Sequence, residues 1–231
     1  MSIVVLSPHL DDGVLSLGAC LARAARGGSR VTVLTVLAGS PTSASASGPW
    51  DEACGFRTAG EAARVRREED RRACVLIGAT PVWLPFGDQQ YGVGADDATV
   101  LAAMAEAIGE AETVLVPGFP LWHRDHRWLA RLVVESGLGN ARIGFYVEQP
   151  YALWHSGDGP TDPDGLPAPL CGPLAWRCAD TGPFERLAKA RACRAYRTQL
   201  PRFGRRPVLR IQLHDLQRGG EQIAWLRPVT A

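Results

Sequence analysis

The chain has 231 residues, of which 46% are hydrophobic, and its formal net charge is +1. This length predicts one large domain with a substantial core, and the balanced charge excludes the strongly basic surface typical of proteins that bind nucleic acid or acidic membranes. No apolar run approaches the roughly 20 residues of a membrane span. An early strand leaves no room for a signal peptide, so we expect a cytoplasmic protein.

Apolar runs alternate with amphipathic segments along most of the chain. Short β-branched runs predict strands, and segments with helical spacing of apolar residues predict helices. Strands are predicted at 3–6, 30–37, 82–86, 113–116 and 142–147, with helices at 14–21, 58–77, 97–108, just after 126 and at 184–200. Two short terminal strands are predicted at 208–213 and 222–226. The alternation predicts an α/β fold, a Rossmann-like three-layer sandwich around a mostly parallel sheet.

A polar cluster follows the first predicted strand, in the sequence S-P-H-L-D-D. In open α/β sheets the functional groups lie beyond the carboxyl ends of the strands. One imidazole and two carboxylates within four residues are typical of a metal site. His9 and Asp12 are three residues apart, so a tight turn can bring both to one ion. Asp11 then points elsewhere and is free to act as a base.

A second cluster, W-H-R-D-H, follows the apolar run 113–117. His123 and His126 are again three residues apart at a predicted transition from strand to helix. Together the two clusters offer three nitrogen and oxygen ligands for a zinc-like ion with an open fourth position. An open position indicates hydrolytic chemistry. The first crossover has no glycine-rich fingerprint, so no dinucleotide is expected.

The pairing of P-H-x-D-D after the first strand with H-x-D-H before a later helix resembles the PIG-L/LmbE-like family. This family consists of metal-dependent N-acetylglucosaminyl de-N-acetylases. Two helix signatures of the family are also present, and the resemblance covers most of residues 1–200. The matching residues are Arg66, Glu69, Ala73 and Gly78 in the first signature, and Lys189, Ala192, Tyr196 and Gln199 in the second, with Thr198 in place of serine.

The family resemblance implies a ligand set and a base. His9, Asp12 and His126 are expected to hold Zn²⁺ or another divalent transition metal such as Fe²⁺. Asp11 is expected to act as the general base that activates water. Chemistry alone does not separate the roles of Asp11 and Asp12.

The second cluster is expected to act on the carbonyl oxygen and the leaving nitrogen. His123 is expected to stabilise the oxyanion and to protonate the nitrogen. Asp125 is expected to hydrogen-bond His123 and to favour its charged form. Leu10 and Arg124 replace common prolines at linker positions, and Gly13 replaces a common glutamate, which removes a carboxylate from the surroundings of the metal.

Two long irregular segments, loop 38–60 and lid 152–183, are expected to determine substrate preference within a single domain of residues 1–231. Trp50 is expected either to stack on a sugar ring or to anchor its loop. Arg66 and Asp88 are candidate substrate-binding residues, since a carboxylate is a sound acceptor for sugar hydroxyls. The alternatives for these two are a solvated helix face and a turn residue.

The sequence therefore predicts a zinc-dependent de-N-acetylase of an N-acetylglucosamine-type conjugate, a small soluble glycoside or an antibiotic-pathway intermediate. The alternatives are a non-catalytic sugar- or metal-binding protein on the same fold, and a metal-dependent amidase acting on another amide. The spare Asp11 argues against a binding protein. The expected partner is a small molecule, without nucleic acid or membrane, and a homo-oligomer is left open. The six cysteines are expected to be free thiols, with a Cys171–Cys178 bridge as the alternative.

Overall fold

The computed structural model describes residues 1–39, 45–91, 95–139, 141–155, 167, 170 and 174–226. The strands are β1 (Ser2–Ser7), β2 (Arg30–Thr35), β3 (Thr80–Trp83), β4 (Thr113–Phe119), β5 (Arg142–Val147), β6 (Arg177–Cys178) and β7 (Gln222–Trp225). The helices are α1 (Asp12–Arg26), α2 (Pro49–Ala53), α3 (Ala59–Leu76), α4 (Asp97–Ile108), α5 (Arg124–Ser136), α6 (Pro183–Cys193) and α7 (Pro207–Gln217).

All seven strands belong to one sheet, in the order β3-β2-β1-β4-β5-β7-β6. The first five strands are parallel, β7 is antiparallel to β5, and β6 is antiparallel to β7. Ile3 lies opposite Val31 of β2 and Thr113 of β4, so β1 lies in the interior of the sheet. The predicted α/β class with a mostly parallel sheet is confirmed.

Successive side chains of a strand point to opposite faces of the sheet. Both faces are apolar here, and helices cover both. Ile3 and Val5 of β1 belong to an apolar cluster with α1, α3 and α6. Val4 and Leu6 belong to a second cluster, formed with α4 and α5. The resulting three layers leave the carboxyl edge of the sheet open.

Capping residues fix where several helices begin. Thr58 accepts a hydrogen bond from the backbone N–H of Glu61 at 3.2 Å at the start of α3. Asp96 does the same for Thr99 at the start of α4, at 2.9 Å.

The C-terminal third differs from the prediction. The predicted strand 208–213 is wrong, because this stretch belongs to α7. Pro207 opens that helix, and the buried residues Val208 and Ile211 are three apart, which is a helical spacing. The predicted helix 184–200 ends at Cys193. The predicted strand 222–226 exists as β7, which pairs with β5 and β6.

Smaller differences concern the edges of elements and the long segments. Strand β2 ends two residues earlier than predicted, and β3 begins two residues earlier and ends at Trp83. Parts of both predicted specificity segments, namely 40–44, 156–166, 168–169 and 171–173, lie outside the described residues. Within the described part of the chain, no helix combines the length and apolar character needed to span a bilayer.

The thiols of the described cysteines are free. These residues are Cys20, Cys54, Cys74, Cys178 and Cys193. Cys171, the proposed partner of Cys178, lies outside the described residues.

Candidate active site

Both predicted clusters lie at one edge of the sheet. Because the order of the first five strands is 3-2-1-4-5, β1 and β4 are neighbours whose connections leave in opposite directions, and ligands bind at such switch points. The turn 9–12 follows β1, and residues 123–126 follow β4 at the start of α5. A cavity of about 600 Å³ opens at this edge. His9, Asp11, Asp12, His123 and Asp125 line its polar floor.

Three buried donor atoms converge beneath the cavity. The Nδ1 of His9 lies 3.3 Å from Oδ2 of Asp12, which lies 3.2 Å from Nε2 of His126. The two imidazole nitrogens are 3.3 Å apart. Ligands held at about 2.0–2.1 Å in tetrahedral geometry lie about 3.3–3.4 Å from one another. The three atoms therefore fit one side of a tetrahedral metal site.

Carboxylates fix the orientation of both imidazoles. The Nδ1 of His126 donates a hydrogen bond to Oε2 of Glu148, and Nε2 of His9 donates one to Oδ2 of Asp125 at 2.9 Å. In each ring the other nitrogen faces Asp12 and is the one that a metal ion would bind. Glu148 has no role among the sequence-based predictions. Its position directly after β5, on the strand next to β4, is the signal that could have identified it.

The predicted contact between Asp125 and His123 is wrong. Oδ2 of Asp125 lies 3.9 Å from Nδ1 of His123 and bonds His9 instead. His123 is the N-cap of α5, so its Nδ1 accepts the backbone N–H of Asp125 at 3.3 Å. Burial and the neighbouring His9 and His126 lower the pKa of His123 to about 4. This environment does not favour the charged form that we expected.

The structure separates the two adjacent aspartates. Despite its burial, His126 and His9 hold the pKa of Asp12 far below its usual range, so this carboxylate is ionised between two imidazoles. Asp11 lines the cavity, and burial together with the charge of Asp12 raises its pKa. Opposite shifts in neighbouring carboxylates indicate different roles, with the raised one suited to proton transfer.

Hydrogen bonds of the Ser7 side chain stabilise the turn 9–12. The hydroxyl of Ser7 donates to the carbonyl of His9 at 2.6 Å and accepts the N–H of Gly13 at 2.9 Å. A Cβ at Gly13 would lie 3.3 Å from Cγ1 of Val5, tighter than ordinary contact. A residue without a side chain therefore suits this position, where glutamate is common in the family.

The predicted substrate-binding residues all line the cavity. The ring centroid of Trp50 lies 5.9 Å from that of Phe203. Trp50 therefore lines the cavity and also packs against a neighbouring aromatic side chain. Asp88 accepts a hydrogen bond from Nε2 of Gln90 at 2.8 Å. Both terminal nitrogens of Arg66 donate hydrogen bonds within the protein, one to Asp51 and one to Gln199.

Aromatic side chains line the cavity beside these polar residues. Trp122 and Trp154 are 56% and 46% exposed, which leaves ring faces free for a ligand. Tyr151 lies between them, with ring centroids 5.9 Å from Trp122 and 6.3 Å from Trp154. His155 donates from Nδ1 to the carbonyl of Tyr151 at 2.8 Å.

An α/β sheet with a His–Asp–His donor set and a separate carboxylate at its switch point defines a hydrolase with a metal site. The chain belongs to the PIG-L family, described as GlcNAc-PI de-N-acetylase, whose model matches residues 4–136. The resemblance seen in the sequence is thereby confirmed, and the enzyme class is that of a deacetylase acting on an amide. No curated protein sequence matches the chain.

Solved structures of several deacetylases have the same fold. The A40926 pseudoaglycone deacetylase is 29% identical, with a TM-score of 0.79 over 96% of this chain and 95% of that one. The zinc-inhibited form of teicoplanin deacetylase is 22% identical, with a TM-score of 0.81 over 100% of both chains. The N,N'-diacetylchitobiose deacetylase from Pyrococcus horikoshii is 16% identical, with a TM-score of 0.61 over 99% of this chain and 87% of that one.

Proposed function

We propose that the chain is a zinc-dependent de-N-acetylase that hydrolyses the N-acetyl amide of an N-acetylglucosamine-type sugar on a small glycoside or natural-product intermediate. The observation that carries the proposal is the spacing of 3.2–3.3 Å among the donor atoms of His9, Asp12 and His126. Metal binding alone would need no further carboxylate, and Asp11 supplies one in the same cavity. We further propose that residues 1–231 act as one catalytic domain.

The roles of the side chains follow from their surroundings. His9, Asp12 and His126 are the proposed ligands. A bound divalent ion would acidify water and polarise the amide carbonyl. Asp11, whose pKa is raised by burial, takes a proton from the attacking water. His123, about one third exposed, faces the same cavity, where its neutral ring hydrogen-bonds the developing oxyanion. The proton that Asp11 takes from water then passes to the leaving nitrogen.

The cavity walls support a sugar with an aromatic or apolar appendage. Trp50, Trp122 and Trp154 offer ring faces on which a pyranose or an aromatic group can stack. Asp88 is placed to accept sugar hydroxyl protons. Two of the similar proteins are a teicoplanin deacetylase and a deacetylase of the antimicrobial reagent A40926 pseudoaglycone. These observations favour a glycosylated natural product over free N-acetylglucosamine.

The test combines metal content with turnover. Elemental analysis of the purified protein is expected to give one zinc per chain, and N-acetylglucosaminyl glycosides are expected to release acetate. Asp11→Asn is expected to lose turnover and keep metal, whereas His126→Ala is expected to lose both. Glu106→Gln, an exposed change on α4, is the control and is expected to keep both metal and turnover.

Three outcomes separate the alternatives. A protein that binds no divalent ion would refute the metallohydrolase. Bound metal without turnover on any amide would instead favour a sugar- or metal-binding protein. Release of a carboxylic acid from other amides, with N-acetyl sugars untouched, would favour an amidase.

A further inference from the structure

The geometry points to Gln199 as a positioning residue, whose side-chain amide holds the peptide bond that precedes Asp11 and so keeps the Asp11 carboxylate directed into the cavity. The inference rests on the proposed function, in which Asp11 is the base. Gln199 lies between α6 and a 3-10 turn at Leu200–Phe203 and is buried.

The decisive contact is made to the backbone of the catalytic turn. Nε2 of Gln199 donates a hydrogen bond to the carbonyl oxygen of Leu10 at 2.6 Å. That carbonyl belongs to the peptide bond between Leu10 and Asp11, whose plane sets the φ angle of Asp11. The φ of Asp11 is 144°, a value that L-amino acids rarely adopt. Such a conformation persists only where the surroundings hold it, and the Gln199 amide is one such restraint.

The orientation of the Gln199 amide is itself determined. Its Oε1 accepts a hydrogen bond from Nη2 of Arg66 at 2.8 Å, so its NH₂ group must face Leu10. Gln199 lines the cavity, yet both ends of its amide are engaged by the protein. Its proposed role is therefore exerted through the backbone of the turn.

A chain of side chains extends this restraint to loop 38–60. Nη1 of Arg66 donates to Oδ1 of Asp51 at 2.9 Å, and Asp51 belongs to α2 within that loop. Both side chains are less than 10% exposed, so the ion pair is shielded from water. The placement of the loop is thereby coupled, through Arg66 and Gln199, to the direction of Asp11.

The test is Gln199→Glu, which has the same shape. Its carboxylate still accepts from Arg66, but it cannot donate to the carbonyl of Leu10. Since a displacement of about 1 Å can cost on the order of 100-fold in rate, we expect kcat to fall by about that factor while KM changes less than about threefold. Zinc content is expected to stay at the wild-type level. A crystal structure of the variant is expected to show Asp11 with a negative φ.

Tyr196→Phe is the matched control. Tyr196 lies three residues earlier in the same segment and is also buried, and its hydroxyl donates to Oδ1 of Asp70 at 2.8 Å. This bond has no link to Leu10. The control is expected to lower Tm and to leave kcat unchanged.

The inference is overturned if Gln199→Glu retains the wild-type kcat, if Asp11 keeps its positive φ, or if Tyr196→Phe loses as much kcat as Gln199→Glu. If Gln199→Glu does not fold, Gln199→Met removes the same donor without adding charge and is judged by the same measurements. Wild-type protein without turnover on any amino sugar would refute the proposed function. The φ of Asp11 in the variant would still decide the inference.

Discussion

The buried carboxylate of Glu148 accepts a hydrogen bond from Nδ1 of His126, and it also accepts the backbone N–H of Leu121 at 2.8 Å. One side chain at the end of β5 thus fixes an imidazole on α5 and the chain that leaves β4. The pairing belongs to the carboxylate–histidine arrangement that orients metal-binding imidazoles. It connects the proposed metal site to a third strand of the sheet.

Glu148→Gln is expected to weaken zinc binding by about 10–100-fold, the usual effect of removing such a carboxylate partner. The amide can still accept from His126, but it no longer supports the basicity of Nε2. Competition with a chelator measures the affinity. Glu135→Gln, an exposed change on α5, is the control, and equal affinities in the two variants would contradict the role of Glu148.

Asp125→Asn tests the corrected partner of Asp125. Because Asp125 bonds His9, the change is expected to reduce zinc affinity, again by about 10-fold or more. His123→Asn is expected to reduce kcat and to leave zinc affinity at the wild-type value. If Asp125→Asn instead reproduced the behaviour of His123→Asn, with metal fully retained, the originally predicted pairing would be favoured.

Lys189, the only lysine of the chain, anchors a buried ion network. Its Nζ lies 2.7 Å from Oδ2 of Asp215 on α7 and 2.7 Å from Oε1 of Glu221. Lys189→Met would leave two carboxylates without their cation, so we expect a loss of about 3–5 kcal/mol in the free energy of unfolding.

Urea denaturation measures the loss. Arg23→Met is the matched control, because its ion pair with Asp180 is exposed and is expected to contribute less than about 1 kcal/mol. Similar losses in the two variants would show that the buried network does not stabilise the fold.

Asp70 makes stability depend on pH. Burial raises its pKa to about 6, although Trp83 and Tyr196 donate hydrogen bonds to it. A carboxyl whose pKa is raised on folding contributes stability that is fully present below its unfolded pKa of about 3.9 and is lost as the pH rises through about 6. The contribution amounts to about 3 kcal/mol at most, at 1.36 kcal/mol per pKa unit.

In Asp70→Asn, the free energy of unfolding is expected to decrease less steeply than in wild type as the pH rises from about 4 to about 7. Urea denaturation at several pH values measures the slope. Glu106→Gln, an exposed change on α4, is expected to leave the slope as in wild type. A slope unchanged in Asp70→Asn would show that this carboxyl does not titrate in that range.

The amino-acid sequence by itself determined the class of the fold and the membership of the two clusters. The β-branched runs before His9 and His123 predict strands, and the carboxyl ends of parallel strands share one edge, so the clusters were expected together. Such local rules fail where the composition of a segment favours a strand but the spacing of its apolar residues favours a helix. Residues 208–213 are such a segment, and their buried residues, three apart, belong to a helix that packs on the core.

Only the tertiary structure decided which side chains serve as partners. Glu148, Asp51 and Gln199 are far in sequence from the residues that they hold, and hydrogen bonds between distant segments leave no periodic signal. The same holds for the choice between Asp11 and Asp12, since two adjacent carboxylates are equivalent in sequence. They differ only once folding places Asp12, and not Asp11, between two imidazoles.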